Sequence, residues 1–284
     1  MKKRRIITLA AAVITSLSLT TFAQDLKVPA ASPKSTVKQN FALGEITIEY
    51  SRPGVKGRVV YGEVVPFDQI WRTGANASTK LTFSDNVKVE GNAVPAGTYS
   101  LFTIPGKAEW TIILNKNLTL WGAFDYKQSE DQLRFKVKPA MMNDKVETMT
   151  MDVADVTPTS ANIELLWDKT RIAFNVTESI DSTIMKNIET SLAADKRPYF
   201  QSASYYFDNG KDLNKALEFV NKAIEQNPKA FYMVHLKAKI QLKLKDTKGA
   251  IATAEQSLAL SKEAKNEEYV KMNEKFIEEA KKAK

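Results

Sequence analysis

Three arginines stand close together where the backbone must be irregular: Arg52, Arg58 and Arg72, in the stretch YSRPGVKGRVVYGEVVPFDQIWRTGANA from Tyr50 to Ala77. Four glycines, with Pro53 and Pro66, punctuate it, which predicts loops rather than a strand or helix. Loops on a rigid scaffold are where binding groups concentrate, and the planar fork of arginine suits a carboxylate or phosphate. Trp71 adds a flat aromatic face beside Arg72, and Asn76 adds an amide donor. Arg52, Arg58, Trp71, Arg72 and Asn76 are therefore the candidate ligand-binding set. The same arginines also read as structural ties that cross-link long loops through carboxylates and carbonyls. An arginine stacked on Trp71 would supply about 0.5–2 kcal/mol toward that end.

Catalytic chemistry has fewer candidates. His235 is the only histidine and there is no cysteine, which removes Ser-His-Asp and Cys-His catalysis, thiol nucleophiles, disulfides and zinc sites built on sulfur. A solitary helical histidine reads as a packing or surface residue. No phosphate-cradling glycine motif is present, and no metal or cofactor is implied. Hydrolysis by paired carboxylates needs no histidine, so Glu63 and Asp68 beside Arg72 are the alternative, catalytic reading. Asp125, Glu130 and Asp131 do not have the alternation of a calcium-binding loop and read as a solvated acidic turn.

Residues 1–23 have a basic start (Lys2, Lys3, Arg4, Arg5), an apolar run from Ile6 to Leu19, and small residues before Gln24. This is the layout of a secretory signal peptide cleaved near Ala23, giving a periplasmic or secreted protein with no membrane span after cleavage. Removing the leader's four basic residues lowers the formal charge from +8 to +4. The residues from Gln24 to Thr177 contain 18 basic and 17 acidic groups, so no polycationic half suggests a nucleic-acid partner.

The elements that must carry these residues divide near Thr177. Up to that point the period is mostly two, in nine runs: 45–50, 80–83, 87–90, 98–104, 109–114, 132–138, 146–153, 161–167 and 171–176. Without helical crossovers the sheets must be mainly antiparallel, so residues 24–177 are expected to form a β-sandwich or flattened barrel. Trp110 and Trp167 fall in strand patterns and read as core; Trp121 opens a Trp-Gly-Ala-Phe turn and reads as packed under a loop.

From residue 178 to 284 the period is near 3.6. Asp212 to Leu217 aligns with Asp246 to Ile251 at a separation of 34 residues, which is the tetratricopeptide period. Phe200, Ala203, Phe207, Ala216, Val220, Ala223 and Pro228 resemble that family's small and large positions, whereas Lys237, Gln241 and Lys262 depart from them in the second unit. The reading is an α-helical hairpin array with capping helices from Ser179 to Ala194 and from Glu267 to Lys282. Such arrays present a face to a protein or peptide partner.

The strings YSRPGVKGRVVYG, VPFDQIWRTGANAST, VPAGTYSLFTIP, EWTIILN, WGAFDY and DQLRFKVKP resemble the secreted bacterial family called domain of unknown function 2911, over about residues 33–177. The resemblance implies an exported envelope protein, sometimes followed by helical repeats, and no catalytic residue. The expectation from the whole sequence is a non-enzymatic binding or adaptor protein that holds an anionic or polar envelope ligand on its β domain.

Overall fold

The computed structural model of the chain describes residues 28–193 and 197–282; the expected leader lies outside them. The chain divides after Thr177 into two compact units.

Ten described strands build the first unit: β1 (Lys34–Phe41), β2 (Gly44–Ser51), β3 (Thr79–Phe83), β4 (Val87–Val89), β5 (Asn92–Val94), β6 (Gly97–Ile104), β7 (Trp110–Asn115), β8 (Asp131–Val137), β9 (Ala140–Ala154) and β10 (Ser160–Thr177). A six-stranded sheet runs β1-β2-β3-β6-β7-β8 and a four-stranded sheet runs β5-β4-β10-β9, with every strand pair antiparallel. Period-two alternation sends Ile46, Ile48, Leu81, Leu101, Trp110 and Ile112 from the first sheet into one core with Met151, Ile163, Leu165, Trp167 and Phe174 from the second. This is the expected antiparallel sandwich. Short connections follow turn chemistry: Glu90 and Gly91 both take positive φ, 47° and 79°, in the two-residue loop joining β4 to β5.

The nine expected runs need three corrections. β1 was absent from them because KSTVKQNF offers few large apolar residues, and as an edge strand it buries only one side. β5 is three residues long, too short to show a period. The runs 161–167 and 171–176 are one strand, β10, which keeps pairing with β9 through irregularities around Asp168, whose φ is 53°.

The second unit contains α1 (Asp181–Ala193), α2 (Tyr199–Asp208), α3 (Leu213–Gln226), α4 (Phe231–Lys243), α5 (Thr247–Glu263) and α6 (Glu267–Lys282). The Asp212 carboxylate accepts from the backbone of Asn214 and Lys215 at the start of α3, and Asp246 accepts from Gly249 at the start of α5. The residue pairs Ala216 and Ala250, Val220 and Ala254, and Ala223 and Ser257 are all buried, so positions 34 apart meet the same need for small side chains at helix contacts.

His235 is a packing residue of α4. Asn273 on α6 donates through Nδ2 to Tyr269 O, which fixes its Oδ1 as an acceptor, so His235 Nδ1 carries the proton in their 2.8 Å hydrogen bond. Burial, and then the charge of Lys239, hold the imidazole pKa below its ordinary 6.5, although the bond to Asn273 acts the other way. The unfolded chain therefore takes up a proton that the folded unit resists. Stability of the helical unit is complete above pH 6.5 and is expected to fall as pH drops below it. Thermal melts by circular dichroism across that range check this; a slope unchanged in His235→Gln would refute it.

Candidate functional site

Arg52 and Arg58 turn their donors onto their own fold. Arg52 Nε donates to Met149 O at 3.0 Å and Nη2 to Thr150 Oγ1 at 2.9 Å, so the side chain ties the segment after β2 to β9. Backbone bonds continue the tie, from Met149 N to Pro53 O and from Val55 N to Glu147 O. Arg58 folds back to donate to Val55 O at 3.1 Å and Gly54 O at 2.7 Å, closing its own turn.

Trp71 is also drawn into structure. Its backbone exchanges two hydrogen bonds with Thr103, and its ring lies face to face with Trp167 at 5.9 Å, with Tyr61 and Trp110 edge-on. The ring therefore stacks on a core tryptophan instead of on an arginine. Because β3 joins β6 at Thr79↔Leu101 and Trp71 joins it at Thr103, residues 72–78 form an excursion between two fixed points. Within it Thr73 and Asn76 have positive φ, 54° and 61°. A β-branched residue in that region is uncommon, and buried Thr73 is held by the Thr103 and Thr79 hydroxyls. Asn76 Nδ2 points at Ser32 O and Ser51 Oγ, both 3.4 Å away. Gly74 has φ +148°, and a Cβ there would lie 3.1 Å from Ser51 O. Gly74→Ala should destabilise the β unit by more than about 1 kcal/mol, read from a urea midpoint; an unchanged midpoint would show that the excursion yields freely.

Arg72 stands apart from the other two. Its Nε is buried and meets no acceptor among the described residues. Burial lowers its pKa, yet a guanidinium stays charged in any ordinary medium. Its Nη1 lies beside Gly122, where an added Cβ would stand 3.7 Å from that nitrogen and 3.2 Å from the Phe124 ring. The segment bearing Gly122 covers the outer face of β6 and β7, with Leu120 packed on Phe102 and Ile113 and joined by Ala123 and Tyr126. Those residues fill the space beneath, so Trp121 is turned outward. It is 72% exposed, and Phe124 is 94% exposed. This corrects the expectation that Trp121 packs under a loop. A cation and two flat apolar faces thus share one part of the surface.

Glu63 and Asp68 are exposed and do not satisfy Arg72 Nε. Glu63 lies in the turn closed by Gly62 N to Val65 O; Asp68 takes φ 58°, with its backbone bonded to Pro105 O. Asp131 is engaged by Tyr126 Oη, Asn115 Nδ2 and Arg134 Nε, and Glu130 by Asn117 Nδ2. Among the described residues no group of three His, Cys, Asp or Glu side chains could hold a metal ion.

Residues 32–176 match the family described as protein of unknown function (DUF2911). No curated protein and no solved structure matches the chain. The family match takes in every strand to within one residue, together with the arginine loop and the Trp121 to Phe124 turn, and it spans more than half of the sequence. The chain belongs to the DUF2911 family.

Proposed function

We propose that the protein is an exported binding and adaptor protein whose β domain holds an anionic or polar envelope ligand at Arg72, with Trp121 and Phe124 as stacking faces. The observation that carries this reading is the Arg72 guanidinium, partly buried with an unpartnered Nε, beside two exposed aromatic rings. Desolvated charges are ordinarily paired, and since Nε itself is closed to solvent, a ligand carboxylate, phosphate or sugar hydroxyl would pair this guanidinium through its Nη groups, of which Nη1 lies beside Gly122. The leader's composition supports export to the periplasm. The 34-residue offset of the α3 and α5 caps and small buried residues supports a tetratricopeptide-like array, with a peptide or protein as its partner. For Arg52 and Arg58 a structural role is favoured instead, because both donate to main-chain oxygens.

Native mass spectrometry of the mature protein, purified gently from its own periplasm, tests the reading. A small bound ligand is expected on the parent and is expected to be lost from Arg72→Ala with tryptophan emission unchanged. A ligand retained by the folded variant would overturn the assignment, as would a bare parent that also fails to take up added anionic glycans.

A further inference from the structure

The outer face of the six-stranded sheet carries a second chemical cluster, independent of Arg72. Ser78, the residue just before β3, is brought to Lys80 on that strand by a direct hydrogen bond, and the register with β6 sets Ser100 opposite Lys80. Lys80 Nζ donates to Ser78 Oγ at 2.8 Å and to Ser100 Oγ at 2.7 Å. The two hydroxyls are 3.1 Å apart, and Ser100 Oγ donates to Asn117 O at 2.6 Å, which anchors it. Ser78 is 4% exposed and Ser100 fully buried.

The ammonium has no carboxylate in salt-bridge contact among the described residues. Burial lowers the Lys80 pKa despite Glu49, its neighbour on β2, which acts in the opposite sense. A partly buried lysine in hydrogen-bond contact with a serine, its pKa lowered by burial, has the geometry of a nucleophile and base pair that needs no histidine. Ser78 lines a cavity of about 170 Å³ together with Lys34, Thr36, Glu49, Ser51 and Lys80, whereas Ser100 does not reach it. The space suits an acyl group of a few heavy atoms.

We propose that Ser78 is an acyl-accepting nucleophile, Lys80 its general base and Ser100 a positioning residue, acting on small esters or amides. Neutral Lys80 Nζ takes the Ser78 hydroxyl proton as Oγ bonds to the substrate carbonyl carbon and the C=O electron pair moves onto oxygen. Collapse of that tetrahedral species re-forms C=O and expels the alcohol or amine, which receives the proton from Lys80. Water then attacks the acyl-Ser78 ester; Lys80 takes its proton and returns it to Ser78 Oγ as the acid leaves. Ser78 and Lys80, two residues apart across the start of β3, are the sequence signal. Only the sheet register adds Ser100.

The mature protein is treated with a small alkyl fluorophosphonate and, separately, with p-nitrophenyl acetate. A single adduct is expected, mapped by peptide mass spectrometry to Ser78, with release of p-nitrophenol. Both should fall about 100-fold or more in Ser78→Ala and in Lys80→Arg, the second of which keeps the cation but cannot accept a proton. Ser100→Ala should slow labelling less and lower the pH at which it becomes half-maximal, because Ser100 Oγ accepts from the Lys80 ammonium and its loss disfavours the protonated form. Absence of a Ser78 adduct on the folded parent, or labelling that survives in folded Lys80→Arg, would overturn the assignment. Tryptophan emission and circular dichroism report folding of each variant.

Discussion

Trp167→Ala should lower the stability of the β unit by about 3–5 kcal/mol, the cost of removing a large aromatic side chain from a filled core. The indole is almost entirely buried between the sheets, stacked on Trp71, with the Tyr61 ring edge-on at 6.1 Å. Its removal takes away the support of Trp71, and through Trp71 that of the excursion from Arg72 to Ser78. All four tryptophans belong to the β unit, so the three that remain still report its unfolding by emission during urea titration. A loss below about 1 kcal/mol would mean that the aromatic cluster collapses around the gap. Trp121→Ala provides the contrast, because its exposed ring should leave the midpoint within about 0.5 kcal/mol of the parent.

In the helical unit, Asn273→Ala should cost roughly 2–3 kcal/mol, since a buried donor stripped of its partner bears its full desolvation penalty. Fully buried Asn273 accepts from His235 Nδ1 and donates to Ser257 Oγ and Tyr269 O, so one side chain joins α4, α5 and α6. Ser257 still donates to Phe231 O in the variant, whereas His235 Nδ1 is left unpaired. The measurement is a thermal melt by circular dichroism. If the double variant with His235→Phe were no more stable than Asn273→Ala alone, the unpaired imidazole would not be the source of the loss.

The sandwich was legible because apolar alternation in segments such as Glu45 to Tyr50 leaves one register that buries Ile46, Ile48 and Tyr50 together. The helices were legible from Asp212 and Asp246 at equal distances from small apolar residues. The fate of the arginines was not. The acceptor of Arg52 Nε is a main-chain oxygen 97 residues away, and every residue type carries one, so no side-chain pattern announces it. Trp121 misled for a related reason: hydrophobicity predicts burial, but Leu120, Ala123 and Tyr126 already occupy the available apolar face. Lys80 sat in plain view in a regular strand, and its importance came only from its lateral neighbours Glu49 and Ser100.

The bonds from Arg52 and Pro53 to β9 have a bearing on solubility. β9 is the outermost strand of its sheet, and an uncovered row of amides and carbonyls invites another chain to add a strand there. The segment from Arg52 to Val55 occupies that row from Glu147 to Thr150, using both main chain and guanidinium. Arg52 thus acts as a guard against self-association, and losing it would favour intermolecular β-pairing and aggregation even where the monomer still folds.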